Sequence, residues 1–154
     1  MIISALIPTY NGAKEIGTLI QKLKSQYLDD GAMLEIIIVD SSSSDDTVLV
    51  IKSQFPDVRV EIINEKQFDH GGTRNYLASL ANGDYLLYMT QDAIPYDNYL
   101  VSSLVSFMNE VDASVCYARQ IPKPDAKPLE VFARNYNYPN KSIVKNKNDI
   151  ETMG

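Results

Sequence analysis

The sequence predicts an α/β fold in which a mainly parallel sheet is covered by helices on both faces. Three observations predict it. Short apolar runs rich in β-branched residues recur along the chain, each is followed by apolar residues at three-and-four spacing, and polar turn residues separate the two. Continuous apolar runs mark strands buried on both faces, and strands that alternate with helices are joined by crossovers, which makes their neighbours parallel.

The first strand is Ile2 to Pro8, and the turn Tyr10-Asn11-Gly12 leads from it into a helix whose buried stripe is Ile16, Leu19, Ile20, Leu23 and Tyr27. Leu34 to Val39 is the second strand. Ser44-Asp45-Asp46 then supplies a capping serine and two first-turn carboxylates for a helix carrying Val48, Ile51 and Phe55. Val58 to Ile63 is a third strand, followed by the polar stretch Asn64 to Gly72. Helical spacing resumes at Tyr76, Leu77, Leu80 and Ala81 and is stopped by Asn82-Gly83. Tyr85 to Met89 is a fourth strand, Leu100 to Val111 a further helix, and Ser114 to Ile121 a fifth strand.

A chain of 154 residues with 45% apolar content fills one core, so one domain is expected over residues 1–138, with 139–154 a polar loop or a truncated continuation. Fourteen basic against twenty acidic residues give a net charge of −6, which argues against nucleic acid as a partner. Cys116 is the only cysteine; it lies in an apolar run, where a buried, inert thiol is expected, and it excludes a disulfide framework. Met1 to Pro8 is too short and lacks the basic flank of a signal peptide, and no later run reaches the length of a membrane span. A cytoplasmic protein is expected.

Ligands of parallel α/β sheets bind beyond the carboxyl ends of the strands. Four post-strand segments therefore hold the candidate residues: Pro8-Thr9-Tyr10-Asn11-Gly12, Asp40-Ser41-Ser42-Ser43-Ser44-Asp45, His70-Gly71-Gly72-Thr73-Arg74-Asn75 and Thr90-Gln91-Asp92-Ala93. Neither the dinucleotide fingerprint nor the P-loop is present. In their place stand carboxylates at two strand tips, Asp40 and Asp92. Such an aspartate accepts from a base N–H or a ribose hydroxyl, or holds a divalent metal that bridges a diphosphate. The local alternatives are that Asp40 organises the serine-rich turn and that Asp92 caps the helix beyond Pro95.

Ile7-Pro8-Thr9-Tyr10-Asn11-Gly12, Glu35 to Ser41 with Asp45, and Asn82-Gly83-Asp84-Tyr85-Leu86 leading to Gln91-Asp92-Ala93 resemble, in order and spacing, the family 2 glycosyltransferases of GT-A fold, a three-layer α/β/α architecture. Phe68 to Asn75 with Thr90 to Ala93 is similar, more narrowly, to the bacterial rhamnosyltransferase branch. The resemblance covers residues 2–138. It implies a donor site made by Pro8, Thr9, Tyr10, Asn11, Asp40 and Ser42 around base and ribose, with His70, Gly72, Arg74, Gln91 and Asp92 completing the pocket. Asp92 matches the last aspartate of the family's Asp-x-Asp element, which holds Mg²⁺ or Mn²⁺ on the donor diphosphate. The sequence departs from the family at Thr90, which stands where that element begins, and at Asp40-Ser41, where paired aspartates are common.

The implied reaction is transfer of a sugar, with inversion, from a nucleoside diphosphate to a saccharide or lipid-linked saccharide acceptor. The rhamnosyltransferase-like loops favour dTDP-L-rhamnose as donor and a bacterial surface polysaccharide as product. The family's general base matches no residue up to Gly154, so a truncated chain that binds donor and transfers little sugar is expected. Lys141, Lys145 and Lys147 would touch headgroups at the inner face of the membrane if the acceptor is lipid-linked. Two other classes remain open at this stage. A sugar-nucleotide nucleotidyltransferase would use a similar sheet, but Pro8 to Gly12 carries no basic residue for a triphosphate; a nucleotide-sugar-binding module without catalysis is the other.

Overall fold

A computed structural model describes residues 1–152; Met153 and Gly154, the end of the expected polar segment, lie outside the described residues. The chain divides into two compact units, Met1–Val105 and the residues from Ser106 onward.

The first unit contains strands β1 (Ile2–Thr9), β2 (Met33–Asp40), β3 (Arg59–Ile62) and β4 (Tyr85–Tyr88), with helices α1 (Ile16–Lys24), α2 (Thr47–Gln54) and α3 (His70–Leu80) between them. All pairings are parallel, in the order β3-β2-β1-β4. β1 is central, which explains its nearly unbroken apolar run: Ile3 to Ile7 are buried on both faces. Ala5 and Ile7 pack with Ile36 and Ile38 against Ile16, Leu19, Ile20 and Leu23 of α1 and Ile51 of α2. Leu6, Ile37 and Val39 point the other way and meet Leu77 of α3. Each large aliphatic side chain so buried contributes roughly 1.5–3 kcal/mol of transfer free energy. Helix α4 (Leu100–Val111) packs Val101 and Val105 on Ile3, on the α1 side. The result is the three-layer α/β/α arrangement that the alternating pattern requires.

In the second unit the described regular elements are the end of α4, helix α5 (Pro128–Asn137) and a 3-10 turn at Lys147–Thr152. The fifth strand expected at Ser114 to Ile121 does not form among the described residues. The segment keeps a two-residue alternation, with Cys116 and Ala118 more covered than Val115 and Tyr117, but among the described residues it joins no sheet. Period-two patterning marks a chain able to pair; the strand itself exists only where a neighbour supplies the hydrogen bonds. Cys116 is accordingly half-buried rather than buried, and that burial raises its thiol pKa.

Four local expectations are corrected. α1 stops at Lys24, and Tyr27 leaves the stripe to meet Tyr99, the rings tilted by 33° with centroids 5.0 Å apart, its N–H donating to Asn98 O. Ser44 is not the cap of α2: the helix begins at Thr47, whose N–H and hydroxyl both donate to the Asp45 carboxylate. α3 begins at His70, six residues before its apolar stripe, because the Asp69 carboxylate accepts from Gly71 and Gly72 N–H and caps it. Gly83 is not a left-handed helix stop; a Cβ there would lie 2.8 Å from the Ser4 backbone nitrogen, so close passage over β1 requires the glycine.

Candidate functional site

From β1 the chain winds outward to β2 and β3, then returns through α3 on the opposite face to β4, on the other side of β1. This reversal places a topological switch point between β1 and β4. Sheets of this kind bind ligands beyond the carboxyl ends of the strands at such a point, and here Gln91 joins the loops after β1 and β4 by hydrogen bonds. The loops after β1 and β4 flank the switch point, and the loop after β2 lies next to the first. All of the sequence-predicted site residues fall in the first unit.

On the β1–β2 side the loops are stitched together by side chains. Asn11 takes a left-handed conformation, φ 49°, and its Oδ1 accepts from the N–H and hydroxyl of Ser44. Asn11 N–H donates to Ser43 Oγ at 2.8 Å, Gly12 N–H to Thr47 Oγ1 at 2.8 Å and Ala13 N–H to Asp45 Oδ2 at 3.1 Å. Hydrogen bonds from the Thr47 hydroxyl and then from the N–H groups of Ala13 and Thr47 hold the Asp45 carboxyl below its ordinary pKa. Ser42 is also left-handed, φ 60°, and donates its hydroxyl to Ile63 O. Non-glycine residues in this region carry about 1 kcal/mol of strain each, which persists here because the surrounding bonds fix the backbone.

Asp40 ends β2 and is fully buried. Its carboxylate accepts from Ser43 N–H at 2.8 Å and from the Ser43 hydroxyl, so it does organise the serine-rich turn. Ser41, buried beside it, keeps its hydroxyl without a hydrogen-bond partner among the described residues. Tyr10 is 44% exposed, with its hydroxyl in a long 3.4 Å hydrogen bond to Glu65. Pro8 and Thr9 end β1; Thr9 O accepts from Ser41 N–H, so the ladder extends one residue past the proline.

The β4 side is more open. Asp92 is exposed in the turn after β4, and among the described residues no hydrogen bond reaches its carboxylate. Outside that turn, His70 and Gly72 are exposed in the first turn of α3, a helix that packs on β1 and β2; the His70 ring meets Phe68 edge-on at 5.1 Å. Arg74 reaches back to donate to His70 O at 2.7 Å. Gln91 joins the loop after β4 to the loop after β1, with Oε1 accepting from Thr9 Oγ1 and Tyr10 N–H and Nε2 donating to Tyr10 O. Sequence reasoning named Ser43, Asp45 and Asp69 within the segments it singled out but not as the residues that hold the loops, and it missed Thr47. The signal was present as aspartate followed at two or three residues by Ser, Thr or Gly, the pattern of Asx-turns and caps.

The donor chemistry fits a divalent cation of the Mg²⁺ type, which takes one or two protein carboxylates and completes its shell with phosphate oxygens and water. Asp92 offers one such carboxylate. Among the described residues there is no group of three or more His, Cys, Asp or Glu able to cage a metal alone.

The family described as Glycosyl transferase family 2 matches residues 4–153. The O-antigen chain rhamnosyltransferase RfbN of Salmonella typhimurium is 40% identical over 156 residues, which covers 100% of this chain and 48% of that protein. The chain thus spans about half the length of this curated relative. Among solved structures, Staphylococcus aureus TarS 1-349 superposes with a TM-score of 0.63 at 20% identity, covering 81% of this chain and 40% of TarS. The mannosyltransferase PcManGT from Pyrobaculum calidifontis, in complex with GDP-Man and Mn²⁺, gives 0.58 at 23% identity over 69% of this chain and 32% of its own. These likenesses establish the GT-A fold expected from the sequence.

Proposed function

The chain belongs to glycosyl transferase family 2, and from that premise we propose that it carries the donor site of a rhamnosyltransferase acting, with inversion, in bacterial surface polysaccharide synthesis. The observation that carries this reading is the switch point itself, with preformed, hydrogen-bonded loops after β1 and β2 on one side and the exposed carboxylate of Asp92 after β4 on the other. Similarity to RfbN across the whole chain favours dTDP-L-rhamnose as donor and a saccharide, free or lipid-linked, as acceptor.

In this reading Pro8, Thr9, Tyr10 and Asn11 line the nucleoside end, with the Tyr10 ring available to pack on the base. Asp40 and Ser42 support that end from the loop after β2. Asp40 acts through Ser43, while the exposed Ser42 fixes the loop against Ile63. Arg74 and His70, at the start of α3, line the nucleotide pocket, where a guanidinium and ring N–H offer donors to phosphate oxygens. Asp92 would hold Mg²⁺ or Mn²⁺, which supplies Lewis-acid stabilisation of the leaving diphosphate. The rim residues bind and orient the donor, so that binding energy at the nucleoside positions the reacting sugar.

Calorimetric titration of the chain with dTDP-rhamnose, UDP-glucose and free dTDP, each with Mn²⁺ and with chelator, tests the proposal. Metal-dependent binding that prefers the dTDP compounds and is lost in Asp92→Ala is expected. Absence of binding by any nucleotide with or without metal would overturn it for this chain.

A further inference from the structure

Gln91 and Gly12 are 79 residues apart in sequence and in contact in space. Gln91 Oε1 accepts from Thr9 Oγ1 at 2.7 Å and from Tyr10 N–H at 2.8 Å, and Nε2 donates to Tyr10 O at 3.1 Å. Both ends of the amide are therefore engaged with one loop, and the bonds fix which end is oxygen and which is nitrogen. A Cβ on Gly12 would lie 2.9 Å from both Cδ and Oε1 of Gln91 and 3.0 Å from Nε2. Gly12 does not have a positive φ, so backbone freedom is not what calls for glycine there. The Gln91 amide occupies the space a side chain would need.

We propose that Gln91 is a positioning residue, an amide clip that fastens the loop after β1 to the loop after β4 across the switch point, with Gly12 as the glycine that the clip requires. Asp92 is the next residue in the chain, so the clip fixes the peptide that carries it against the nucleoside loop. This deepens the donor-site reading and rests on it for its functional consequence: the clip sets the distance between the nucleoside end and the diphosphate end. Only a primary amide of this length does both jobs. A carboxylate would set an oxygen against Tyr10 O, and alanine would leave the Tyr10 N–H and Thr9 hydroxyl without their acceptor.

Two measurements test it. In the first, dTDP is titrated with Mn²⁺ and with chelator into the parent and Gln91→Glu; a general loss of structure weakens both titrations alike, whereas a positioning role lowers the ratio between them. The Mn²⁺-dependent gain in affinity is expected to fall on the order of tenfold in the variant, the factor that loss of a polar interaction of this size corresponds to. An unchanged gain overturns the proposal. The second is a double-mutant cycle read by urea denaturation, which needs no ligand. Gly12→Ala is expected to lower the unfolding midpoint in the parent and to do so much less in a Gln91→Ala background. An equal loss in both backgrounds, or a Gly12→Ala chain that fails to fold in both, overturns the clip. If the parent binds no nucleotide, the donor-site reading fails, and the cycle still decides the clip.

Discussion

The loops on the two sides of the switch point are built differently. On the β1–β2 side nearly every polar group is tied to protein: Asn11 to Ser43 and Ser44, Gly12 to Thr47, Ala13 to Asp45, Asp40 to Ser43. On the β4 side Asp92 projects with no hydrogen bond to its carboxylate among the described residues. The first is a preorganised wall whose shape is set by folding; the second presents a charge whose partners come with a ligand. Preorganisation lowers the ordering cost of binding, while an exposed carboxylate pairs with a cation without first breaking an internal bond.

Substitutions on the two sides should therefore separate stability from binding. The largest stability effect is expected for Asp40→Ala, which removes a fully buried carboxylate and leaves Ser43 N–H without its acceptor; a loss of about 2–3 kcal/mol in urea denaturation is anticipated. Thr47→Val deletes a buried hydroxyl that accepts from Gly12 N–H and donates to Asp45, for about 1–2 kcal/mol by the same measurement. Equal stability of either variant and the parent would show that the wall is not held as described.

A smaller effect should appear in the acid limb of stability. The folded pKa of Asp45 is lowered, chiefly by the Thr47 hydroxyl, so its contribution is present above the unfolded value and lost as pH falls through the folded one. Glu35 behaves in the same sense: burial raises its pKa, but hydrogen bonds from Ser4 and Asn82 and the charge of Arg59 outweigh this. Asp45→Asn should flatten the decline of the melting temperature with acid; a slope identical to the parent's would remove Asp45 from the account. The least effect on stability is expected for Asp92→Ala, within about 0.5 kcal/mol of the parent. It should nevertheless abolish Mn²⁺-dependent dTDP binding. A destabilised Asp92→Ala would erase the contrast between the two sides.

Much of the scaffold was legible in the residues. The run Ile2 to Ile7, bounded by Pro8, reads as a strand covered on both faces, and the stripe Ile16, Leu19, Ile20, Leu23 as one helix face, because burial imposes periodicity directly on the side chains. The start of α3 was hidden since Gly71 and Gly72 have poor helix propensity, which the Asp69 cap offsets through a bond that apolar spacing does not report. The strand read at Ser114 to Ile121 failed for the opposite reason: its pattern is real, but pairing needs a second strand, and no local sequence carries that information.

The sequence by itself determined that strands and helices alternate, that Asp40 and Asp92 stand at or just past strand ends, and that the loops around them hold the polar chemistry. The strand order, and with it the switch point between β1 and β4, was decided only in the tertiary structure, since it depends on which face α3 crosses. The same holds for the roles of individual loop residues. Whether Gln91 lines a pocket or clips two loops, and whether Asp40 meets a ligand or Ser43, depends on atoms far away in the chain or on turn geometry. Hydrogen bonds are short and directional, so partner identity is fixed by three-dimensional placement, whereas burial of an apolar face needs only a period.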